Sequence, residues 1–209
     1  MSYWPEFLTI VVAHALAVAS PGPDFALVLR QSLAHGRRVA VWASIGIGSG
    51  IAIHVGYCSL GLGLLLKDSP VALNVAKYLG AAYLAWVGVQ ALRAKPREGD
   101  MDLSEGDAAP TNRAAWVQGF IVNVLNPKAA LFFISLYALR VSPHTPPLLK
   151  FGYGVWLVLA TMAWFCLVSV LFTQAEVRRS FLRHGHWIDR ALGVVFLAFA
   201  AALVLAKLG

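Results

Sequence analysis

This sequence is poor in charge. Only 13% of its 209 residues are Asp, Glu, Lys or Arg, while 59% are hydrophobic and the mean hydropathy is +0.69. Soluble domains carry about 25% charged residues, so this balance excludes one and indicates an integral membrane protein. Cysteine is nearly missing as well. Cys58 and Cys166 stand singly in apolar runs, with no CxxC pair and no His/Cys cluster at zinc spacing, which excludes a zinc module and suggests two buried structural thiols. No metal and no cofactor is expected. There is also no basic amino-terminal region. Glu6 is the only early charge, so "ALAVAS", Ala15 to Ser20, resembles a signal-peptidase site but is read as part of an uncleaved helix. The net charge of +7 and the pI near 9.7 come without a basic face. Lys and Arg lie between apolar runs, which points to membrane topology and away from nucleic acid.

What is present is a succession of apolar runs. Glu6 to Arg30 is broken once, Val39 to Leu66 has no charged residue, and Pro70 to Leu92 has only Lys77. Ala114 to Leu139 has only Lys128, Leu148 to Gln174 has Lys150 near its start, and Ala191 to Ala206 comes last. About 20 apolar residues cross a hydrocarbon core of about 30 Å, so an all-α integral membrane fold of six transmembrane helices is expected, as one domain over 1–209. Residues 94–113 are dense in Gly, Pro and acid ("KPREGDMDLSEGDAAP") and read as a mobile cytoplasmic loop between a first half, 1–93, and a second, 114–209. Arg30, Arg37 and Arg38, then Arg93, Lys95, Arg97 and Arg113, then Arg178, Arg179, Arg183 and Arg190 fall in alternate connections. Lys67, Lys77, Arg140 and Lys150 are all that the others hold. That bias predicts termini facing away from the cytoplasm.

The halves resemble each other. Setting Pro21 on Pro127 also sets Gly46 and Gly48 of "GIG" on Gly152 and Gly154 of "GYG", and "LGAAYLAW" at Leu79 to Trp86 reads against "LGVVFLAF" at Leu192 to Phe199. Three helices per half is an odd number, so the second half must be inverted. A 3+3 inverted repeat favours a carrier with its site between the halves. Gly46 and Gly50 form a small-xxx-small face, and with Gly48, Gly152 and Gly154 they are expected to pack helices closely.

The first and fourth helices are both broken, at "SPGPDF" and at "NPKAALFF". Proline removes a backbone donor and obstructs the preceding turn, Gly22 permits unusual backbone geometry, and the freed groups must face protein, water or ligand. Paired breaks mark a binding site near the midplane. Ser20, Pro21, Gly22, Pro23 and Asp24 from one break, and Asn126, Pro127 and Lys128 from the other, are therefore the candidate substrate-binding and coupling residues, with Asn123 and Gln118 lining the approach. Ser20 and Asn126 are expected to cap the half-helices that follow them. Asp24 suits a helix amino end, whereas Lys128 does not and needs an anionic partner, Asp24 or a ligand carboxylate. A zwitterion would satisfy both. His14 and His54 are intramembrane and could relay protons, or could simply bond a neighbouring helix.

"SPGPDF", "GIGSG", "GAAYLAWVG" and "NPKAALFF" together resemble the LysE/RhtB family of amino-acid exporters over essentially the whole chain. The resemblance implies proton-driven efflux of amino acids or close derivatives across the bacterial inner membrane, with amino acid, protons and lipid as partners and no enzymatic reaction. A homo-oligomer is compatible with it. With no second intramembrane acid beside Asp24, a small neutral amino acid such as threonine or homoserine is preferred to a basic one. Two other classes compete. An intramembrane thiol-disulfide electron carrier would place paired cysteines at the breaks, and a channel for small polar solutes would need no opposed charges at the midplane.

Overall fold

The computed structural model describes residues 3–20, 22–62, 70–95, 108–142 and 144–205. Pro21 and most of the expected mobile loop, 96–107, lie outside the described residues. Within them the chain is all helical. Helices α1 (Trp4–Ala19) and α2 (Pro23–Ala34) flank the first break. Helix α3 (Gly36–Tyr57) runs into a π turn at Cys58–Leu62 and is followed by α4 (Pro70–Leu92). Helices α5 (Asn112–Val124) and α6 (Pro127–Arg140) flank the second break, and α7 (Pro147–Leu171) and α8 (Ala175–Leu205) complete the order.

Local chemistry sets most of these boundaries. Proline stands in the first helical turn of α1, α2, α6 and α7, where its missing N–H costs nothing. Thr111 caps α5 by accepting from the Ala114 N–H at 3.2 Å. The turn from α2 to α3 requires Gly36, whose φ of +79° is left-handed.

By length and composition, α3 with its π turn (Gly36–Leu60) and α7 (Pro147–Leu171) each suffice to cross a membrane. The pairs α1–α2 and α5–α6 pass the same test together and bend by 52° and 56° at their breaks, so that the described residues hold up to four candidate spans when each bent pair is taken as one. The expectation that Arg178 to Arg190 forms a connection is corrected. Residues 175–190 are the first half of the 31-residue α8, continuous with the apolar run 191–205. Large apolar side chains, among them Leu8, Val12, Ile53, Leu159 and Leu167, are exposed on the outside, whereas Ser44, His54, Asn123, Thr161 and Ser169 are buried within. An apolar exterior, with polar side chains turned inward among an apolar core, suits a lipid surrounding, and the chain is a multi-pass membrane protein.

Glycines set the close crossings. A Cβ on Gly46 would strike the Trp116 carbonyl, and one on Gly119 the Ala43 carbonyl, so α3 and α5 meet backbone to backbone. Gly88 of α4 and Gly193 of α8 face each other in the same way, each within 3.0 Å of the other's carbonyl when given a Cβ. Gly48 lies against Met162 and Gly154 against Val55, joining α3 to α7. Gly152 does not share this role: it is exposed and its Cβ direction is open, because it lies two residues, over half a helical turn, from the packed face that holds Gly154. Within this packing the breaks of α1–α2 and α5–α6 lie against each other, Asn123 reaching Asp24 and Lys128 reaching Ser20.

Candidate functional site

The two breaks are built alike. Helix α1 stops at Ala19, Ser20 is extended (φ −72°, ψ 131°), and α2 restarts at Pro23. Helix α5 ends at Val124 and α6 restarts at Pro127. Gly22 and Asn126 are thus the two N-cap residues, Pro23 and Pro127 the first helical residues, and Asp24 and Lys128 the second. This correspondence is shifted by two residues from the match of Pro21 with Pro127. Asn126 caps as expected, its Oδ1 accepting from the Lys128 N–H at 3.0 Å. Ser20 does not cap α2, which has no side-chain cap; Ser20 instead terminates α1.

That difference decides how Lys128 is held. Its ammonium is on the first turn of α6, at the end of a helix dipole that disfavours a cation. The side chain reaches across to α1, where Nζ donates to the Ser20 carbonyl at 2.7 Å. The carbonyl end of a helix carries the negative pole and unpaired acceptors, so the cation is stabilised there. The charges of Asp24 and Asp189 also act on it, and the Phe196 ring lies 5.7 Å from Nζ. The side chain passes close to Gly22: a Cβ at that position would be 3.1 Å from Lys128 Cδ and 3.4 Å from Nζ.

Asp24 is positioned from the other side. Asn123 Nδ2 donates to its Oδ2 at 2.9 Å, while Oδ1 is buried and has no hydrogen-bond partner among the described residues. Asn123 is itself fully buried against Gly50, where a Cβ would stand 2.6 Å from its Oδ1. His54 contacts the Asn123 carbonyl at 3.0 Å through Nε2. A carbonyl only accepts, so Nε2 carries the proton, and Nδ1, 2.9 Å from the Tyr57 hydroxyl, accepts in the neutral ring. Both nitrogens of His54 are therefore engaged in bonds that fix Asn123. His14 is buried with Nε2 2.9 Å from Thr161 Oγ1, joining α1 to α7. Gln118 bonds Gln31 at 2.6 Å, joining α5 to α2.

Two cavities meet at Lys128. The inner one, about 50 Å³, is lined by His14, Asp24, Phe133, Thr161 and Phe165. The outer one, about 350 Å³, is lined by Tyr83, Trp86, Gln90, Pro23, Pro127 and Asp189. Ser20, Gly22, Asn126 and Lys128 border both. Neither free cysteine lines either cavity: Cys58 lies in the π turn after α3 and Cys166 on α7. Among the described residues no group of His, Cys, Asp and Glu is arranged to hold a metal.

Asp189 is the site residue that sequence reasoning missed. It is buried on α8, although its setting in "HWIDR" looks like part of a basic connection. The one available signal was an isolated acid, directly before Arg190, at the edge of the last apolar run. Its presence removes the premise that Asp24 has no second acid beside it.

Fold and site together define an all-helical, multi-pass membrane protein with two bent helix pairs meeting at a charged centre. The chain belongs to the LysE type translocator family, whose model matches residues 15–207. It is similar to the threonine efflux protein of Escherichia coli (strain K12), at 30% identity over 203 residues covering 96% of this chain and 98% of that protein. It is also similar to the leucine efflux protein of Klebsiella pneumoniae subsp. pneumoniae, at 30% identity over 209 residues covering 95% and 94%. An uncharacterized membrane protein of Haemophilus influenzae is again 30% identical, over 203 residues. No solved structure matches the chain.

The packing of Asn123 can be tested directly. Asn123→Ala removes the donor to the Asp24 carboxylate and should lower stability by about 1–3 kcal/mol. Gly50→Ala, which pushes Asn123 aside, should act in the same direction, and Gly152→Ala should have little effect. Thermal unfolding of the detergent-solubilised protein, followed by size-exclusion chromatography, measures all three.

Proposed function

We propose that the chain exports a small neutral amino acid, of the threonine or homoserine kind, from the bacterial cytoplasm in exchange for protons. The observation that carries this reading is that one cavity is bordered by a carboxylate from the first break, Asp24, and an ammonium from the second, Lys128. A zwitterion presents the complementary charges. Its carboxylate meets Lys128 and the amino ends of α2 and α6, which favour anions. Its ammonium meets Asp24, whose buried Oδ1 offers an acceptor. Protonation of Asp24 from the acidic outer side weakens its hold on the ammonium and favours outward release. If the cycle moves net charge, each elementary charge adds about 2.3 kcal/mol per 100 mV.

In this reading the protein lies in the inner membrane as six crossings, with α4 and α8 the third and sixth. The 3+3 inverted repeat is supported by the equivalent starts of α2 and α6 and by the reciprocal contact of Gly88 with Gly193. Ser20, Gly22, Pro23, Asn126 and Pro127 shape the site, Asn123 and His54 position Asp24, and His14 borders the inner cavity. Because Asp189 is present, the preference for a neutral substrate rests on the relatives named for threonine and leucine efflux. A thiol carrier is disfavoured because the cysteines are away from both cavities, and a channel because it has no use for opposed charges at its narrowest point.

Efflux of radiolabelled threonine from loaded proteoliposomes tests the reading. An imposed pH gradient should accelerate efflux by the unaltered chain, and Asp24→Asn should abolish that acceleration; proton-driven efflux by well-expressed Asp24→Asn protein with an unchanged pH dependence would sink the mechanism. Sidedness is checked separately with a membrane-impermeant thiol reagent on single cysteines introduced at Tyr3 and at Arg113 of a Cys58→Ala, Cys166→Ala chain. They should be modified from opposite faces, and modification of both from one face would overturn the orientation and the inversion together.

A further inference from the structure

The outer cavity has a different chemistry from the inner one. Its lining includes Gln90, Ala91 and Ala94, at and just beyond the carboxyl end of α4, the end that leads into residues 96–107. Its floor is Lys128 and its side wall carries Asp189, only 5% exposed. Tyr83 and Trp86 supply an aromatic wall, their rings 5.7 Å apart. Arg190, the neighbouring cation, is turned to the rim, where Nε donates to the Ala94 carbonyl at 3.1 Å and the guanidinium lies 5.0 Å from the Trp187 ring. Asp189 is therefore a buried carboxylate facing a space rimmed by aromatic rings, with Lys128 beside it.

Size separates the two cavities further. About 350 Å³ falls within the range of small-molecule sites, whereas about 50 Å³ has room for only a few waters. In this conformation the outer cavity has the volume of a small-molecule site and the inner one does not. Lys128 and Gly22 form the partition between them.

We propose that the outer cavity is a loading subsite for an α-amino acid, in which Asp189 accepts the substrate ammonium and Lys128 binds its carboxylate before the substrate passes to Asp24. The proposal rests on the export reading and adds a second station to it. Lys128 serves both stations. Its ammonium stands at the partition, so a carboxylate bound to it can stay bound while the substrate ammonium exchanges Asp189 for Asp24. Each carboxylate then receives the ammonium as the other releases it, and no unpaired charge crosses the partition.

Inside-out membrane vesicles expose the 93–113 side to added substrate. With radiolabelled threonine outside, Asp189→Asn should raise the KM by about tenfold or more with a smaller change in maximal rate, and Asp189→Glu should restore most of the affinity. An unchanged KM in Asp189→Asn protein present at normal levels overturns the subsite and leaves export standing. Absence of threonine transport by the unaltered chain overturns the export reading and the subsite with it. A second measurement keeps Asp189 intact. In a Cys58→Ala, Cys166→Ala chain, Gln90→Cys should be modified by a thiol reagent more slowly in the presence of threonine, and at an unchanged rate with N-acetylthreonine, which lacks the ammonium. Equal protection by both compounds, or protection by neither, overturns the subsite.

Discussion

A lysine side chain leaving one broken helix to end on the last carbonyl of another is the contact on which the centre of this protein depends. Lys128 starts where a cation is disfavoured, in the first turn of α6, and its ammonium ends where a cation is favoured, at the Ser20 carbonyl that closes α1. The two breaks are thereby joined across the interface of the halves. Gly22 leaves room beside the Lys128 side chain, and the acids at 24 and 189 act on its charge. Removing any one of them changes what the ammonium can reach.

The rest of the fold serves this centre by bringing backbones close. Gly46 with Gly119, and Gly88 with Gly193, let helices cross at carbonyl contact, where an added methyl group would cost on the order of 1–3 kcal/mol. Several polar side chains buried between the helices bond one another or nearby carbonyls: Ser44 meets Ser169 at 2.9 Å, and His54 meets Asn123. In an apolar surrounding such bonds have no competing water. Positioning of Asp24 thus runs from Tyr57 through His54 and Asn123, all on α3 and α5, to the first turn of α2.

Much of this was legible in the sequence because its causes are local. Proline in the middle of an apolar run breaks or kinks a helix there, so both breaks could be read directly, as could the cap made by Asn126. Ser20 was misassigned because two prolines follow it, and only the point at which α1 ends decides that Gly22, and not Ser20, begins α2. Gly154 and Gly152 are indistinguishable in sequence, yet one meets Val55 and the other meets nothing, since helix rotation is set by tertiary packing. Asp189 was hidden for a similar reason. A stretch rich in arginine looks like a connection, and only the packing of α8 against α4 turns its acid inward. The chain's membership of the LysE type translocator family agrees with the motifs at the breaks, which are the most local features of all.

The central claim is that Lys128 recognises the substrate carboxylate while the acids recognise its ammonium. The most direct measurement is competition against threonine transport by the amino alcohol in which the carboxylate is replaced by a hydroxymethyl group. The unaltered chain should prefer threonine by about tenfold or more, since a site built to pair a charge rejects an analogue lacking it. Lys128→Met protein should lose that preference while still rejecting N-acetylthreonine. If Lys128→Met protein discriminates against the amino alcohol as strongly as the unaltered chain does, the carboxylate is bound elsewhere and the account is wrong.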